Sequence, residues 1–443
     1  MARLRDVSMQ RVGKPGMSSF YFLAEGEMTP AGWTGVSIPD RLVTGEADAA
    51  REYGVPTTLE RDLLRLAASV FAVDRGVLRG EREQVSRRLD ISVPVVNVAR
   101  LLPLVERIES VLFRLSDDNW RVELRQAPGE PEEPAEGGRH GGGTLLFSGG
   151  LDSLAAALEF GAIPGGLQLV SHRTRGGSMI TAQNRLRALL QAAGRSLPHR
   201  RFTVSSRSGV GLPRHDVEAS QRTRSFVFLV VGGMAARRAS HSDLLYLAEN
   251  GQMAIHLPLT QGRLGALSTH TAHPAVLMEM EVILNLALGT NLRLRNPYVH
   301  RTKAEVVDVV VRQLPAGLRE SNSCWRASRL PAPSTHCGAC VPCFVRRVAI
   351  EHHGLDPTPY ARDVLREDIA RLGGDDDGRR NLLDLLEFTK RIEVSDAQSL
   401  MDEYPELYSR GVDAAETIRM YKRFAVEALN VWRRYPSIAG ILA

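Results

Sequence analysis

The stretch Leu146–Ala156, LFSGGLDSLAA, constrains the fold more than any other part of the chain. An apolar run stops at a serine, turns through two glycines, and resumes at once as an apolar helix. A strand feeding a helix through so short a turn belongs to a parallel α/β sheet, where ligands sit beyond strand ends and against helix N-termini. Without Cβ atoms, Gly149 and Gly150 let the backbone approach an anion and point consecutive N–H groups at it. Ser148 and Ser153 add hydroxyl donors, and the helix dipole starting near Asp152 favours negative charge. Phosphate is the natural occupant.

The turn is none of the commoner phosphate loops. No lysine occurs between Lys14 and Lys303, so there is no Gly-Lys-Ser/Thr, and neither GxGxxG nor GxSxG fits. S-G-G-L-D-S between a strand and a helix resembles the PP-loop of the ATP pyrophosphatase family, with its adenine nucleotide alpha hydrolase-like sheet. That resemblance implies ATP held by its β,γ-pyrophosphate while a nucleophile attacks the α-phosphate.

The rest of the chain is read around this turn. Strands are expected at Thr144–Phe147, Gly166–Ser171, Arg200–Val204, Leu244–Ala248 and Leu292–Asn296. They alternate with helices at Asp152–Phe160, Thr181–Ala193, Ser220–Ser240, Pro274–Leu288 and Lys303–Leu314, a pattern that predicts a mostly parallel sheet. Upstream, QAPGEPEEPAEGGRHGGG at 126–143 reads as a flexible linker. It sets off residues 1–125, an α+β module with helices at Thr58–Val73 and Ala99–Leu115 and a half-buried strand at Arg88–Val96. Residues 144–356 form the PP-loop domain, and 357–443 read as helices, Arg379–Arg391 and Ala414–Arg434 among them.

All four cysteines fall in one segment, CWRASRLPAPSTHCGACVPC at 324–343. Cys337, Cys340 and Cys343 recur at two-residue spacings, and a proline-stiffened loop returns Cys324. Four thiolates satisfy a zinc ion tetrahedrally in a closed structural site, which is the reading preferred here. An iron–sulfur cluster and free thiols are the alternatives. His336 is a possible substitute ligand but reads better as a solvent-facing loop residue. With all four sulfurs on a metal, no thiol remains to carry a persulfide, and sulfur transfer through one is excluded.

Charge adds less. The net charge is +5, and 52 of the 56 basic residues are arginine, interleaved with acids along the chain. That leaves no basic stripe, so a nucleic-acid partner is not favoured. No apolar stretch is long enough to span a bilayer, and the N-terminus lacks a signal core, so a cytoplasmic protein is expected.

The PP-loop, then Ser323-Cys324, a gap, and Cys337-G-A-Cys340-V-P-Cys343-F-V-Arg346-Arg347, together resemble QueC, the 7-cyano-7-deazaguanine synthase family. Thr223-Arg224-Ser225-Phe226 and Thr302-Lys303-Ala304-Glu305 extend the likeness over about residues 144–353. The resemblance implies ATP-dependent adenylation of 7-carboxy-7-deazaguanine with release of pyrophosphate, then attack by ammonia to give an amide and finally a nitrile. Ser148, Gly149, Gly150, Asp152 and Ser153 would hold the pyrophosphate and its Mg²⁺, and Lys303 would neutralise phosphate charge. Arg173, Arg175 and Arg224 are candidate ATP or substrate contacts.

Two departures are informative. Where that family carries Tyr-Pro-Asp-Cys-Arg, this chain has Ser268-Thr-His-Thr-Ala-His273-Pro274, preceded by Glu249-Asn250-Gly251 at a strand end. Glu249, Asn250, His270, Thr271 and His273 are therefore the candidate substrate residues. The added first module makes the chain similar to the longer QueC-like proteins of bacterial antiphage loci, the QatC type of the Qat system. Asp74-Arg75 and the Arg88–Val96 strand share in that likeness. It implies a different acceptor, such as an amine on a small partner protein. A nucleic-acid-modifying PP-loop enzyme and a nucleotide-sensing scaffold are the alternatives.

Overall fold

The computed structural model describes residues 17–79, 86–132, 142–173, 177–206, 218, 220–239, 244–260, 270–331 and 333–442. Arg175, Ser268, Thr269 and residues 133–141, half of the expected linker, lie outside them. The linker's ends belong instead to strands, with Gln126 closing Asn119–Gln126 and Gly143 opening Gly143–Leu146. The first module is built on β1 (Met17–Leu23), β2 (Thr34–Ser37), β4 (Arg88–Val95) and β5 (Asn119–Gln126). These pair in the order β2-β1-β4-β5, and every pair is parallel. A two-residue strand, β3 (Leu42–Val43), leaves the module to pair antiparallel with β9 (Ser205–Ser206).

Two upstream expectations change. The β4 strand is buried on both faces rather than half-buried, with only Arg88 exposed. Its alternation of Leu89, Ile91 and Val93 with polar residues suggested a wet face. Instead Asp90 and Ser92 are covered because β4 lies inside a parallel sheet. The expected Ala99–Leu115 helix is broken into Val98–Leu101, a 3₁₀ turn at Leu102–Leu104, and Val105–Ser116. Pro103 lacks an N–H, and its ring crowds the preceding turn, so one continuous helix cannot form there.

The central sheet follows the predicted alternation. It contains β6 (Gly143–Leu146), β7 (Leu167–Arg173), β8 (His199–Thr203), β10 (Leu244–Tyr246) and β11 (Arg293–Arg295), all parallel, in the order β11-β10-β6-β7-β8. The chain runs outward from β6 to β8, then crosses back to β10 and β11 on the other side. The topological switch therefore lies between β6 and β10, and their carboxyl ends open the crevice where an α/β sheet takes its ligand.

Side-chain alternation divides the sheet between two cores. Leu145 and Leu169 pack with the helices Leu151–Phe160 and Lys303–Gln313. Leu146 and Val170 join the core formed by the helices Arg224–Arg238 and Pro274–Leu288. That second core is continuous with the first module, whose long helix, Thr58–Gly76, is buried along most of its length. The Gly-Gly pair in FVFLVVGGMAA serves this contact: a Cβ at Gly232 would stand 2.6 Å from Leu146 Cδ2. A third core gathers the cysteine segment with the helices Val341–His352, Asp377–Val394 and Ala414–Trp432.

A buried polar cluster ties the first module to the start of the Arg224–Arg238 helix. Asp74 accepts from Arg87 at 2.5 Å and from Thr223 N and Oγ1 at 2.9 and 3.0 Å. Arg87 continues to Asp118 at 2.6 Å, and Asp118 also takes Arg79 at 2.9 Å. Burial opposes ionisation of Asp74, but Arg87 and the Thr223 N–H hold its carboxyl below the usual range. Asp74→Ala leaves Arg87 buried without that partner and is expected to cost about 3–5 kcal/mol in chemical denaturation. Because the folded-state pKa is depressed, this contribution is complete at neutral pH and is lost as the pH falls through the folded value.

Candidate functional site

The SGGLDS turn closes β6 and opens the helix Leu151–Phe160. Gly149 has φ +89°, a left-handed conformation that any other residue would hold under strain, and its Cβ would crowd Gln183. Gly150 is the helix N-cap without a side-chain cap, so the first-turn N–H groups lack that partner. Hydroxyls converge on the turn: Ser148 Oγ lies 3.2 Å from Ser153 Oγ and accepts from Gly150 N at 3.3 Å. Ser153 Oγ in turn donates to Gly150 O at 3.0 Å. The result is a cradle of small groups and free N–H dipoles with no positive side chain of its own.

The positive charge arrives from 151 residues downstream. Lys303 is the first residue of its helix, set there by a Thr302–Glu305 capping box. Its Nζ donates to Asp152 Oδ1 at 2.7 Å, and both side chains are nearly buried. The other Asp152 oxygen accepts from Asn250 Nδ2 at 2.9 Å and Asn250 N at 3.3 Å. Asn250 and Glu249 follow β10, so the β6 and β10 ends meet at Asp152, as the switch-point topology requires.

Glu249 stands beside this pair. Asn296 brackets its backbone at 3.2 and 2.8 Å. Burial, then the charge of Asp152, pushes its carboxyl up to about 8, with Lys303 and the Ala272 N–H pulling the other way. Its Oε2, together with Asn250 Oδ1 and Gln252 Nε2, is buried without a hydrogen-bond partner among the described residues. Orphaned acceptors and a donor at one strand end mark where ligand groups complete the hydrogen bonding. Ser148, Gly150, Asp152, Glu249, Asn250 and Lys303 line a cleft of about 180 Å³.

The opposite wall is the cysteine segment. Asn322 N donates to Gly149 O at 2.9 Å, and Asn322, Ser323, Trp325, Pro342 and Val345 face the cleft. The four cysteine sulfurs are buried and lie within 4.8 Å of one another. Cys337 and Cys343 are 3.8 Å apart, the sulfur–sulfur separation expected for tetrahedral zinc with bonds of about 2.3 Å. So tight a set has room for one ion, not for a cluster of several irons. Arg326 N and Cys337 N donate to Cys324 Sγ, and Ala339 N to Cys337 Sγ, which suits thiolates. The residues fit zinc, in a knuckle packed against the PP-loop.

His336 corrects its sequence reading. It is fully buried, not solvent-facing: Nε2 accepts from Ser323 N at 3.1 Å, and Nδ1 contacts Thr335 Oγ1 at 2.8 Å. Both ring nitrogens are engaged in holding the loop, so neither is left for a metal. Arg346 is also buried and clamps Leu318 O, Ser321 and Ser323, fixing the strand of chain that carries Cys324.

The remaining candidates lie outside the cleft lining. Arg173 ends β7 on the side of β6 away from β10. Arg224 Nε reaches His172 Nδ1 at 3.4 Å. His273 caps the helix Pro274–Leu288 by accepting from Ala275 N at 3.2 Å, and Thr271 bonds Ser225. His270 stacks edge-on to His273 and faces the Asp117 and Arg222 charges of the Asp74 neighbourhood. Conversely, sequence reading missed Asn322, Gln252 and Trp325, and took Ser323 only as part of the cysteine motif. The Ser-Cys-Trp string beside the first ligand was the available signal, since Trp325 is 46% exposed despite its size. A larger hollow near Glu159 and Arg423 carries no such chemistry, because its charges pair with one another.

Residues 271–354 match the family described as Queuosine biosynthesis protein QueC. The chain is also 40% identical over 80 residues to the 7-cyano-7-deazaguanine synthase of Paracoccus denitrificans (strain Pd 1222), covering 18% of this chain and 32% of that protein. The match thus spans about a third of the relative's length. The matched family region includes Lys303 and all four cysteines, so the chain is QueC-like across the cleft wall that faces the PP-loop. No helix among the described residues is long and apolar enough to cross a membrane.

Proposed function

We propose that this chain is an ATP-dependent synthetase that adenylates a 7-deazaguanine carboxylate, releases pyrophosphate, and passes the acyl group to an amine. One observation carries the reading: the Lys303–Asp152 pair joins the SGGLDS cradle to the QueC-like segment in a single cleft. Ser148, Gly149, Gly150 and Ser153 would hold the β,γ-phosphates, Asp152 would hold their Mg²⁺, and Lys303 together with that ion would balance the phosphate charge. Arg173 and Arg224 would contact ATP beyond the cleft. Glu249 and Asn250 would meet the substrate at its floor, and His270, Thr271 and His273 would shape its approach. Such chemistry needs little covalent help; positioning and charge neutralisation dominate.

The acceptor is ammonia or an amine on a small partner protein, the latter in an antiphage setting in the cytoplasm. The 1–125 module and the 357–443 helices flank the 144–356 unit and offer the docking surface that a macromolecular acceptor needs. Pyrophosphate release with ATP and 7-carboxy-7-deazaguanine tests the reading, and carboxylate-dependent release is expected. Tight ATP binding without release would favour a scaffold, and release that requires RNA or DNA a nucleic-acid enzyme. Intact-mass measurement of co-expressed small proteins separates the acceptors. An added deazaguanine mass marks a protein amine, and an unshifted mass beside active adenylation leaves ammonia.

A further inference from the structure

The cleft holds one ionisable group that phosphate binding does not use. Glu249 sits beside the Asp152–Lys303 pair at the end of β10, in the crevice at the carboxyl ends of β6 and β10 where an α/β sheet takes its ligand. Its Oε2 is buried without a partner among the described residues, and Asn250 Oδ1 beside it is likewise open. Both are acceptors, and two adjacent acceptors suit a ligand bearing several N–H donors. An ammonium or primary amine is such a ligand; a phosphate is not.

We propose that Glu249 is the catalytic base of the second half-reaction, taking a proton from the incoming amine so that its nitrogen can attack the acyl-adenylate. This rests on the adenylation reading above. The amine arrives protonated and gives one proton to the Glu249 carboxylate, which later returns it to water. The neutral nitrogen attacks the carbonyl carbon, a C–N bond forms, and the C–O bond to the phosphate breaks. AMP leaves with that electron pair and takes the second N–H proton.

The charged groups that face Glu249 among the described residues are Asp152 and Lys303, with the Ala272 N–H against it. Burial and Asp152 outweigh Lys303 and push the carboxyl up to about 8, where a base still takes a proton strongly yet is partly ionised near neutrality. The base works only when ionised, so amine transfer rises with pH through that value.

The experiment gives the full-length protein ATP, 7-carboxy-7-deazaguanine and a mixture of ammonium and hydroxylamine. Hydroxylamine is uncharged at neutral pH and needs no base to become a nucleophile, so the amide-to-hydroxamate ratio reports proton removal alone. Glu249→Gln is expected to lower that ratio about 100-fold and to leave it following only the fraction of free ammonia. Glu249→Asp, which keeps the acid but withdraws it, is expected to lie between. A ratio unchanged in Glu249→Gln, with the wild-type pH profile, overturns the assignment while leaving adenylation intact. Loss of both products in Glu249→Gln and Glu249→Asp moves Glu249 to the first half-reaction and also overturns it. A wild-type protein that forms neither product overturns the adenylation reading itself.

Discussion

Lys303→Met is expected to lower carboxylate-dependent pyrophosphate release by about 10³-fold, the range seen when one preorganised electrostatic group is removed from a developing charge. Lys303 is the only lysine between positions 14 and 390, and the SGGLDS cradle supplies dipoles but no full positive charge. Its ammonium reaches Asp152 at 2.7 Å from the first turn of a capped helix, so its position is set by backbone structure rather than by a flexible loop. The single change also strands Asp152, whose side chain is 12% exposed, and a buried unpaired carboxylate destabilises by about 3–5 kcal/mol. The double variant Lys303→Met, Asp152→Asn separates the two effects. It removes the stranded charge, so the thermal midpoint is expected to return to within a few degrees of wild type. Pyrophosphate release is expected to stay low. Recovery of release along with stability would show that Lys303 only balances Asp152.

How much of this was legible in the sequence follows from the range of the interactions. The PP-loop and the knuckle are local: eleven residues specify one, and three of four ligands sit within seven residues in the other. The central strands and helices followed from short apolar runs, and their ends shifted by only a few residues. What stayed hidden was pairing at a distance. Nothing in the string LAENG says that Asn250 will hold Asp152, 98 residues upstream. Nor does the string STHC say that His336 will point inward at Ser323. The parallel pairing of the first sheet was equally hidden, because alternation along β4 reads alike in a half-wet strand and in one covered on both faces.

The same distinction explains why a QueC-like segment carries extra sequence on both sides. Tyr421 of the last long helix accepts from Leu257 N at 3.0 Å and donates to Gln252 O at 3.3 Å. Its neighbour Met420 packs against Gly251. The C-terminal helices therefore hold the turn that carries Glu249 and Asn250, while Asp74 holds the helix behind the sheet. The flanking regions support the cleft from outside.

Loss of the metal is expected to have the largest effect on stability. The knuckle's four cysteines sit inside a core shared with the C-terminal helices, and the segment 322–325 forms one wall of the cleft. Four buried thiolates without an ion repel one another, so the apo segment must protonate or open, and in either case Asn322 loses its fixed place against Gly149. Cys340→Ser removes a ligand with little change in volume and is expected to reduce bound zinc from one per chain to a small fraction. The thermal midpoint is expected to fall by about 10 °C or more, since structural zinc supplies several kcal/mol of folding free energy. Pyrophosphate release should fall with it. Metal analysis, thermal melting and a colourless visible spectrum check the three parts together. A variant that keeps one zinc and its wild-type melting temperature would remove the cysteine cluster from the account of the cleft, whereas one that loses zinc but keeps full turnover would reduce the knuckle to a support for the C-terminal helices alone.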